Sequence, residues 1–389
     1  MAHAAHTSPA GLIATVILTG LTGVSMSGCA PKPSIDEGSP VNNEITVAAT
    51  DDFCQLSRTT AGIGDSTFVI TNNGTLVTEF YVYGAGDRVM GAVENISPGL
   101  QRKLTVQLSQ PGRYYTACKP GMIGDGIRAD FTVKGNAVPL DIQGKFNEAA
   151  ELYKNYVTNQ TANLVAATEE FIGTIKKGDV QGAQALYPKA RTYYGRVKPV
   201  AESLPDNLDQ RIDQRETELR PGADWTGFHR LEKDLWVTRP LPDLDAIADQ
   251  LLSDVRELDA AVKDPKWTTD ATGIVGGAQD LLDELTRSTL TGDEDIFSHT
   301  DLWDFQAKLD GSRSAIGSVR PIIDERDPDL GRRIDQAFAT AQGLLDSHHW
   351  NDGFVYYDSV TAPEREELSR AIDALGVVVR QVQDVVAQR

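Results

Sequence analysis

The chain has 389 residues, of which 56 are acidic and 37 are lysine or arginine, and its net charge is −19. A surface this acidic repels nucleic acids and anionic lipid head groups, so we expect no nucleic acid among its partners. A chain of this length is expected to form two domains.

The N-terminus carries the features of an export signal. Residues 11–24 form an uncharged apolar run that is too short to span a bilayer comfortably. Met26–Cys29 follows this run and resembles a lipobox. We therefore predict a signal peptide over residues 1–28 and, over residues 29–43, a tether lipidated on Cys29. The lipid would anchor the exported protein at the outer face of the cell membrane or in the periplasm. An ordinary cleaved signal peptide is the alternative.

Short runs of β-branched and aromatic residues fill residues 44–135, and turn-forming residues separate them. About six or seven such strands in this length predict a β-sandwich. If Cys29 carries lipid, Cys54 and Cys118 are the remaining cysteines. Two cysteines outside the cytoplasm most often form a disulfide.

The periodicity changes to that of helices in residues 145–389. Apolar residues recur with helical spacing in residues 244–262 and again in residues 368–386. Thr361–Glu364 has the pattern of a capping box at the start of a helix. Long amphipathic helices joined by polar segments predict a helical bundle, an architecture that places metal sites between facing helices.

The segment Gly227–Trp236 contains the most informative motif of the chain. His229 and Glu232 are three residues apart in a helix-forming context, so both side chains lie on one helix face. An imidazole nitrogen together with a carboxylate oxygen suits iron, zinc or copper. The alternative is a partly buried histidine that is hydrogen-bonded to a glutamate one turn away and binds no metal.

Several segments resemble known proteins. Gly227–Trp236 is similar to the signature of the imelysin family. Resemblance to EfeO-type iron-uptake proteins extends over residues 49–54, 78–83, 94–96, 118–127, 292–295 and 298–306. The resemblance implies an α+β multidomain protein, with an N-terminal cupredoxin-like β-sandwich over residues 44–135 followed by an all-α imelysin-like helical bundle over residues 145–389. It also implies a binding protein that captures iron outside the cytoplasm and delivers it to an EfeU-type iron permease, together with an EfeB-type haem peroxidase.

The resemblance implies a metal site in the helical domain. Its expected ligands are His229, Glu232 and Asp213. A Tyr-Glu-x-Ile-Glu-Pro segment of the family corresponds here to residues 194–199, in which Gly195 and Lys198 replace the two glutamates. We expect the Lys198 ammonium to lie against His229 and to weaken cation binding there.

A second candidate site lies in the β-domain. Cys118 and Met122 resemble the ligand loop of cupredoxins, and Cys54 and Glu79 complete the candidate ligand set. Thiolate, thioether and carboxylate ligands together suit copper, or else iron. No histidine lies between residues 40 and 140, so a blue-copper centre with its two histidines is excluded. A Cys54–Cys118 disulfide is the competing interpretation, because an oxidised pair is a poor metal ligand.

The sequence favours a binding protein over an enzyme. A zinc peptidase needs three protein ligands, an open coordination position and a general base, yet no second histidine lies within 60 residues of His229. The chain also lacks a Gly-x-Ser-x-Gly elbow, a P-loop and a dinucleotide-binding fingerprint. The alternatives are an imelysin-type metallopeptidase and an envelope lipoprotein with degenerate metal sites.

Overall fold

The structure of the chain, a computed structural model, describes residues 44–108, 110–122, 124–136, 142–238 and 244–387. The predicted signal peptide and the tether with Cys29 lie outside these residues. Within the described part of the chain, no helix is both long and apolar enough to cross a membrane. The predicted fold class, an N-terminal β-sandwich followed by a helical domain, is confirmed.

Two sheets form the N-terminal region. The strands are β1 (Glu44–Ala49), β2 (Cys54–Leu56), β3 (Thr60–Gly62), β4 (Gly64–Asn72), β5 (Thr78–Tyr83), β6 (Val89–Ile96), β7 (Gln101–Leu108), β8 (Gly112–Pro120) and β9 (Ile127–Lys134). One sheet has the order β2-β1-β4-β7 and the other the order β3-β9-β8-β5-β6. Their inward-facing side chains form a shared apolar core, in which the ring of Phe68 lies 5.3 Å from that of Phe80 and 5.6 Å from that of Phe131.

Strand β5 is buried along its whole length because it has neighbours on both faces. Successive side chains of a strand point to opposite faces of the sheet. Phe80 and Val82 accordingly point into the sandwich core, whereas Tyr81 and Tyr83 belong to the apolar core of the helices. The sandwich and the helical bundle therefore share a packed interface, and the described residues from Glu44 onward belong to one compact unit.

The rest of the chain is mainly helical. The helices are α1 (Ile142–Lys176), α2 (Val180–Gly195), α3 (Lys198–Glu202), α4 (Leu208–Asp213), α5 (Phe228–Trp236), α6 (Leu244–Lys263), α7 (Ala271–Arg287), α8 (Asp301–Ser318), α9 (Arg320–Arg326), α10 (Pro328–Asp346) and α11 (Ala362–Ala387). A hairpin of β10 (His349–Trp350) and β11 (Gly353–Phe354) precedes α11. The predicted apolar stripes of residues 244–262 and 368–386 are the buried faces of α6 and α11.

Helix α8 carries charged side chains although it is buried on nearly all sides, against α1, α2, α7 and α10. Asp304 and Lys308 are four residues apart and share one face. Gln306 and Asp310 share the opposite face, because a step of two residues turns a helix by about 200°. Each of these two polar stripes contributes to a separate cluster of buried charge.

Candidate metal centre

Gly227 allows the helix that carries His229 to begin directly against the end of α4. Its φ of +87° lies in the left-handed region, and a side-chain carbon at this position would overlap the carbonyl oxygen of Ile212. This close approach brings Asp213 to His229, with 3.5 Å between Asp213 Oδ1 and His229 Nε2. The two side chains are 1% and 2% exposed. The structure thus brings together two of the ligands that the resemblance implies.

Glu232 fixes the orientation of the His229 ring. Its Oε2 lies 3.0 Å from His229 Nδ1. Its Oε1 accepts hydrogen bonds from the backbone N–H of Phe297 at 2.9 Å and from the N–H and hydroxyl of Ser298 at 2.8 and 2.9 Å. A carboxylate held in this way accepts the Nδ1 proton and leaves the Nε2 lone pair available for a metal ion. Nε2 is buried and has no hydrogen-bond partner within the described part of the chain.

Carboxyl groups surround the imidazole. Two sets of three residues could each hold a metal ion: Asp213, His229 and Glu294, and His229, Glu232 and Asp295. Within each set, one ligand atom from each residue lies within 4.8 Å of the others. Together with the neighbouring buried charges they form what we call the His229 cluster: His229, Arg191, Lys198, Lys308, Asp213, Glu232, Glu294, Asp295, Asp301 and Asp304. Every member is less than one tenth exposed. The cluster offers nitrogen and carboxylate ligands, which suit iron and zinc.

Three cations lie inside the cluster. Arg191 forms an ion pair with Asp213 and reaches Glu294 and Asp304, each at 3.1 Å. The Lys198 ammonium lies 2.7 Å from Asp213 Oδ2. The ammonium of Lys308 lies 3.0 Å from Glu294 Oε1. Asp213 and Glu294, the candidate metal ligands on the Nε2 side of His229, therefore already have cations beside them.

These cations keep two carboxyl groups ionised. Burial works to raise the pKa of Asp213, but the charges of Arg191 and Lys198 outweigh it, and the pKa lies below its usual range. Burial also opposes ionisation of Glu294, whose pKa the charges of Lys308 and Arg191 hold well below its usual value. Both groups are therefore carboxylates at neutral pH, the state that metal binding requires.

Three other carboxyl groups hold protons more tightly. Burial raises the pKa of Asp295 to about 7 and that of Asp301 to about 7. Burial also raises the pKa of Asp304 well above its usual value, although Arg191 opposes this. The His229 cluster contains six carboxyl groups and three cations, and three bound protons would make it neutral. A metal ion can supply the same positive charge in place of those protons.

The position of Lys198 differs from the expectation. Its ammonium lies against Asp213 and, at 3.2 Å, Asp209, rather than against the imidazole of His229. Asp213 thus separates the lysine from the histidine, with one carboxylate oxygen facing each. Gly195 packs closely as well, since a side-chain carbon there would lie 3.0 Å from that of Ala307.

Sequence reasoning missed six of the ten members of the His229 cluster. Arg191, Glu294 and Asp304 were not among the expected site residues, although the last two lie in segments with family resemblance. A usable signal was the spacing of Asp301, Asp304 and Lys308, since charges at such positions share one face of a helix. A charged face on a helix that is otherwise apolar or small indicates a buried polar site.

The second candidate set does not come together. Cys54 and Cys118 form a disulfide, one of the two states left open, so neither sulfur is a thiolate in this structure. Cys118 pairs with Phe80 and faces the sandwich core. Glu79 is the neighbour of Phe80 and faces the helices on the opposite side of the sheet. Met122 also lies on the helical side, where its sulfur accepts a hydrogen bond from Tyr193 at 3.3 Å.

Glu79 instead belongs to a second buried cluster between the sandwich and the bundle. We call it the Arg196 cluster, and its members are Arg196, Glu79, Glu94, Asp310, Lys119 and Gln160. Arg196 Nη1 lies 3.3 Å from Glu79 Oε1. Glu79 thus contacts Arg196 across the interface between the sandwich and the bundle.

Comparison with known proteins places these features in one family. Residues 149–382 match the imelysin family. The iron uptake system component EfeO of Escherichia coli O1:K1 is 35% identical over 349 residues, which cover 88% of this chain and 91% of the relative. EfeO of Shigella flexneri shows the same identity and coverage. The chain belongs to the EfeO group of the imelysin family.

Two solved structures are similar to parts of this EfeO-type chain. Dithionite-reduced auracyanin from Roseiflexus castenholzii is 17% identical, with a TM-score of 0.20, and the match covers 24% of this chain and 98% of auracyanin. A protein described as an iron-regulated protein A precursor, from Parabacteroides distasonis, is 12% identical, with a TM-score of 0.47. That match covers 65% of this chain and 97% of the other.

Proposed function

We propose that this EfeO-type protein binds iron outside the cytoplasm and that the His229 cluster is its binding site. The observation that carries the proposal is the buried Nε2 of His229, which has no hydrogen-bond partner in the described structure and lies 3.5 Å from Asp213. In this proposal His229, Asp213 and Glu294 are the ligands, and Glu232 orients the imidazole. The relatives named as iron uptake system components support the choice of metal.

The donor atoms support iron over copper. Carboxylate oxygens with one imidazole suit iron, whereas thiolate and thioether ligands select copper. The disulfide between Cys54 and Cys118 removes the thiolates on which copper binding in the β-domain would depend. The proposal is therefore limited to iron.

The closed geometry supports binding rather than peptide hydrolysis. A catalytic zinc site keeps one position open for water or substrate. Here His229, Asp213 and Glu294 are each at most 3% exposed, and Arg191 lies among the carboxylates. Such a site admits a bare ion more readily than a peptide bond.

The wider role is proposed from membership of the EfeO group. The protein would hand iron to an EfeU-type permease, working with an EfeB-type haem peroxidase, while a lipid on Cys29 holds it at the outer face of the cell membrane. Fractionation of cells expressing the full chain tests the anchor. We expect wild-type protein with the membranes and Cys29→Ser in the soluble fraction; wild-type protein that is wholly soluble would contradict the anchor.

Anaerobic titration of the full-length protein with Fe²⁺ tests the binding site. We expect His229→Ala to abolish most binding and Glu232→Gln to weaken it by about 10- to 100-fold, the usual effect of removing a partner that orients a metal ligand. His349→Ala is the matched control, because this histidine lies on the β10–β11 hairpin and not in the His229 cluster. Undiminished iron binding by His229→Ala would overturn the proposal.

A further inference from the structure

A cavity of about 470 Å³ borders helix α3, the short helix that begins with Lys198. Its walls come from α1, α3, the segment after α6 and the first half of α7, and they include Tyr153, Pro199, Trp267 and Asp280. Pro199 is the residue after Lys198, so the cavity and the lysine share the short helix α3. The cavity thus reaches the residue next to a member of the His229 cluster, although none of its lining residues belongs to that cluster.

Carboxyl groups occur on α3 and α7, which border this cavity, and around the Lys198 ammonium. Asp280 and Glu202 are exposed, the side chains of Asp209 and Glu284 are 22% and 12% exposed, and Asp213 is buried. Glu202 lies four residues after Lys198 on α3, and Asp280 lies four residues before Glu284 on α7, so the members of each pair share one helix face. Exposure falls stepwise from the surface to Asp213.

The Lys198 ammonium occupies the middle of this path. It lies 3.2 Å from Asp209 Oδ1, 3.5 Å from Glu284 Oε1 and 2.7 Å from Asp213 Oδ2. The other oxygen of Asp213 is the one that lies 3.5 Å from His229 Nε2. A positive charge is therefore stable at a point between the outer carboxyl groups and the proposed iron ligand.

The approach to the cluster past Glu294 is less favourable to a cation. There Arg215 covers Glu294, with 3.2 Å between Arg215 Nη1 and Glu294 Oε2. The Arg215 side chain is 22% exposed, so an approaching metal ion would meet its guanidinium first. Like charges repel most strongly where water is scarce.

We propose that the path past Lys198 is the route by which iron reaches the His229 cluster. Asp280, which lines the cavity, and Glu202, at the end of α3, attract the ion, and the ion then displaces the Lys198 ammonium from Asp213. The displaced ammonium remains paired with Asp209 and Glu284. This inference rests on the function proposed above, and it assigns a route and a competitor to the same site.

Stopped-flow mixing of the full-length protein with anaerobic Fe²⁺, followed by intrinsic fluorescence, tests the route. We expect the double variant Glu202→Gln, Asp280→Asn to load iron at least about threefold more slowly at low ionic strength, and the deficit to shrink as salt screens the charges. The dissociation rate should not rise, because neither residue is a ligand. Asp283→Asn is the matched control: Asp283 is also on α7, is 47% exposed and faces Arg380, and its loss should leave the rate unchanged.

Variants of Lys198 test the displacement step. Lys198→Gln removes the competing charge and should raise the loading rate, whereas Lys198→Arg keeps the charge and should not. Circular dichroism of each variant checks that it is folded. An unchanged loading rate in the double variant at low ionic strength, or a deficit that comes entirely from faster release, would overturn the route. Failure of wild-type protein to bind iron in a His229-dependent way would instead overturn the proposed function.

Discussion

The His229 cluster and the Arg196 cluster use similar residue types for different ends. Both place an arginine of α2 or its C-terminal cap among buried carboxyl groups. Both also use α8, which presents Asp304 and Lys308 to the His229 cluster and Asp310 to the Arg196 cluster, on opposite faces. The two clusters are therefore built on the same two helices.

The members of the Arg196 cluster mainly contact one another, although Glu79 Oε2 and Arg196 Nε have no hydrogen-bond partner in the described structure. The guanidinium lies 3.4 Å from Glu94 Oε2 and 3.2 Å from Asp310 Oδ2, in addition to its contact with Glu79. Neutral donors complete the environment of Glu94, which accepts hydrogen bonds from Tyr81 and, at 2.5 Å, from Gln160. Since Glu79 and Glu94 come from the sandwich and Arg196 from the bundle, these contacts join the two regions.

The His229 cluster differs in two respects. It has twice as many carboxyl groups as cations, and it contains an imidazole nitrogen without a partner in the described structure. An excess of buried negative charge, together with a free imidazole lone pair, suits a cation that binds reversibly. The comparison teaches that a buried arginine among acids is not diagnostic of function, whereas a twofold excess of carboxyl groups over cations together with an unpartnered imidazole nitrogen is.

The largest expected effect on stability comes from removing the guanidinium of the Arg196 cluster. Arg196→Met should destabilise the protein by about 3–5 kcal/mol, because it leaves Glu94 buried without its ion-pair partner and removes the nearer of the two cations beside Asp310. Urea unfolding measures this loss. Arg332→Met is the control, since this arginine is 69% exposed and pairs with an exposed Asp329, and it should change stability by less than about 0.5 kcal/mol.

Arg191→Met sharpens the comparison. It also removes a buried cation, but saturating Fe²⁺ should restore much of its stability, because a bound ion stabilises the folded state and replaces the lost charge. Saturating Fe²⁺ should not restore the stability of the Arg196→Met variant. Equal recovery of both variants, or of neither, would break the distinction between the two clusters.

A smaller effect per pH unit on the free energy of unfolding is expected from the ionisation of Glu79. Burial raises its pKa to about 8, despite the nearby charge of Arg196. Between its ordinary pKa of 4.5 and about 8, folded Glu79 holds a proton that the unfolded chain has released. Stability should therefore fall as pH rises through this window, by up to about 1.4 kcal/mol per pH unit.

Glu79→Gln should remove this part of the slope, since glutamine keeps the shape without titrating. Urea unfolding between pH 5.5 and 8.5 measures the difference between variant and wild type. Glu44→Gln is the control, because Glu44 is exposed at the start of β1. If Glu79→Gln and wild type show parallel stability profiles, Glu79 is ionised throughout and the Arg196 cluster is a fully charged network.

The smallest expected effect concerns Lys198 and Gly195. Replacing both by glutamate should tighten iron binding by about tenfold, because two hard oxygen donors replace a cation and a bare backbone position. The gain should disappear when His229→Ala is added. Calorimetric titration compares the variants. Tight iron binding by wild type, with no improvement in the double variant, would show that Lys198 does not weaken the site.

Local features of the sequence were sufficient for the fold class, for helices α5, α6 and α11, and for part of the site. The spacing of His229 and Glu232 predicted a shared helix face, and the two hydrogen-bond in that way on α5. The periodicity of residues 244–262 and 368–386 predicted α6 and α11. These predictions succeed because side-chain direction along a helix or strand follows from backbone geometry alone.

Tertiary packing decided which charges meet. Asp304 and Glu294 lie far along the chain from Arg191, and their contacts depend on how α2 and α8 pack. Packing also placed Asp213 between Lys198 and His229. A one-residue step on β5 set Glu79 on the face opposite Cys118. The sequence names the charged residues, but only the packing of helices and sheets determines their distances, and electrostatic energy depends on distance and burial.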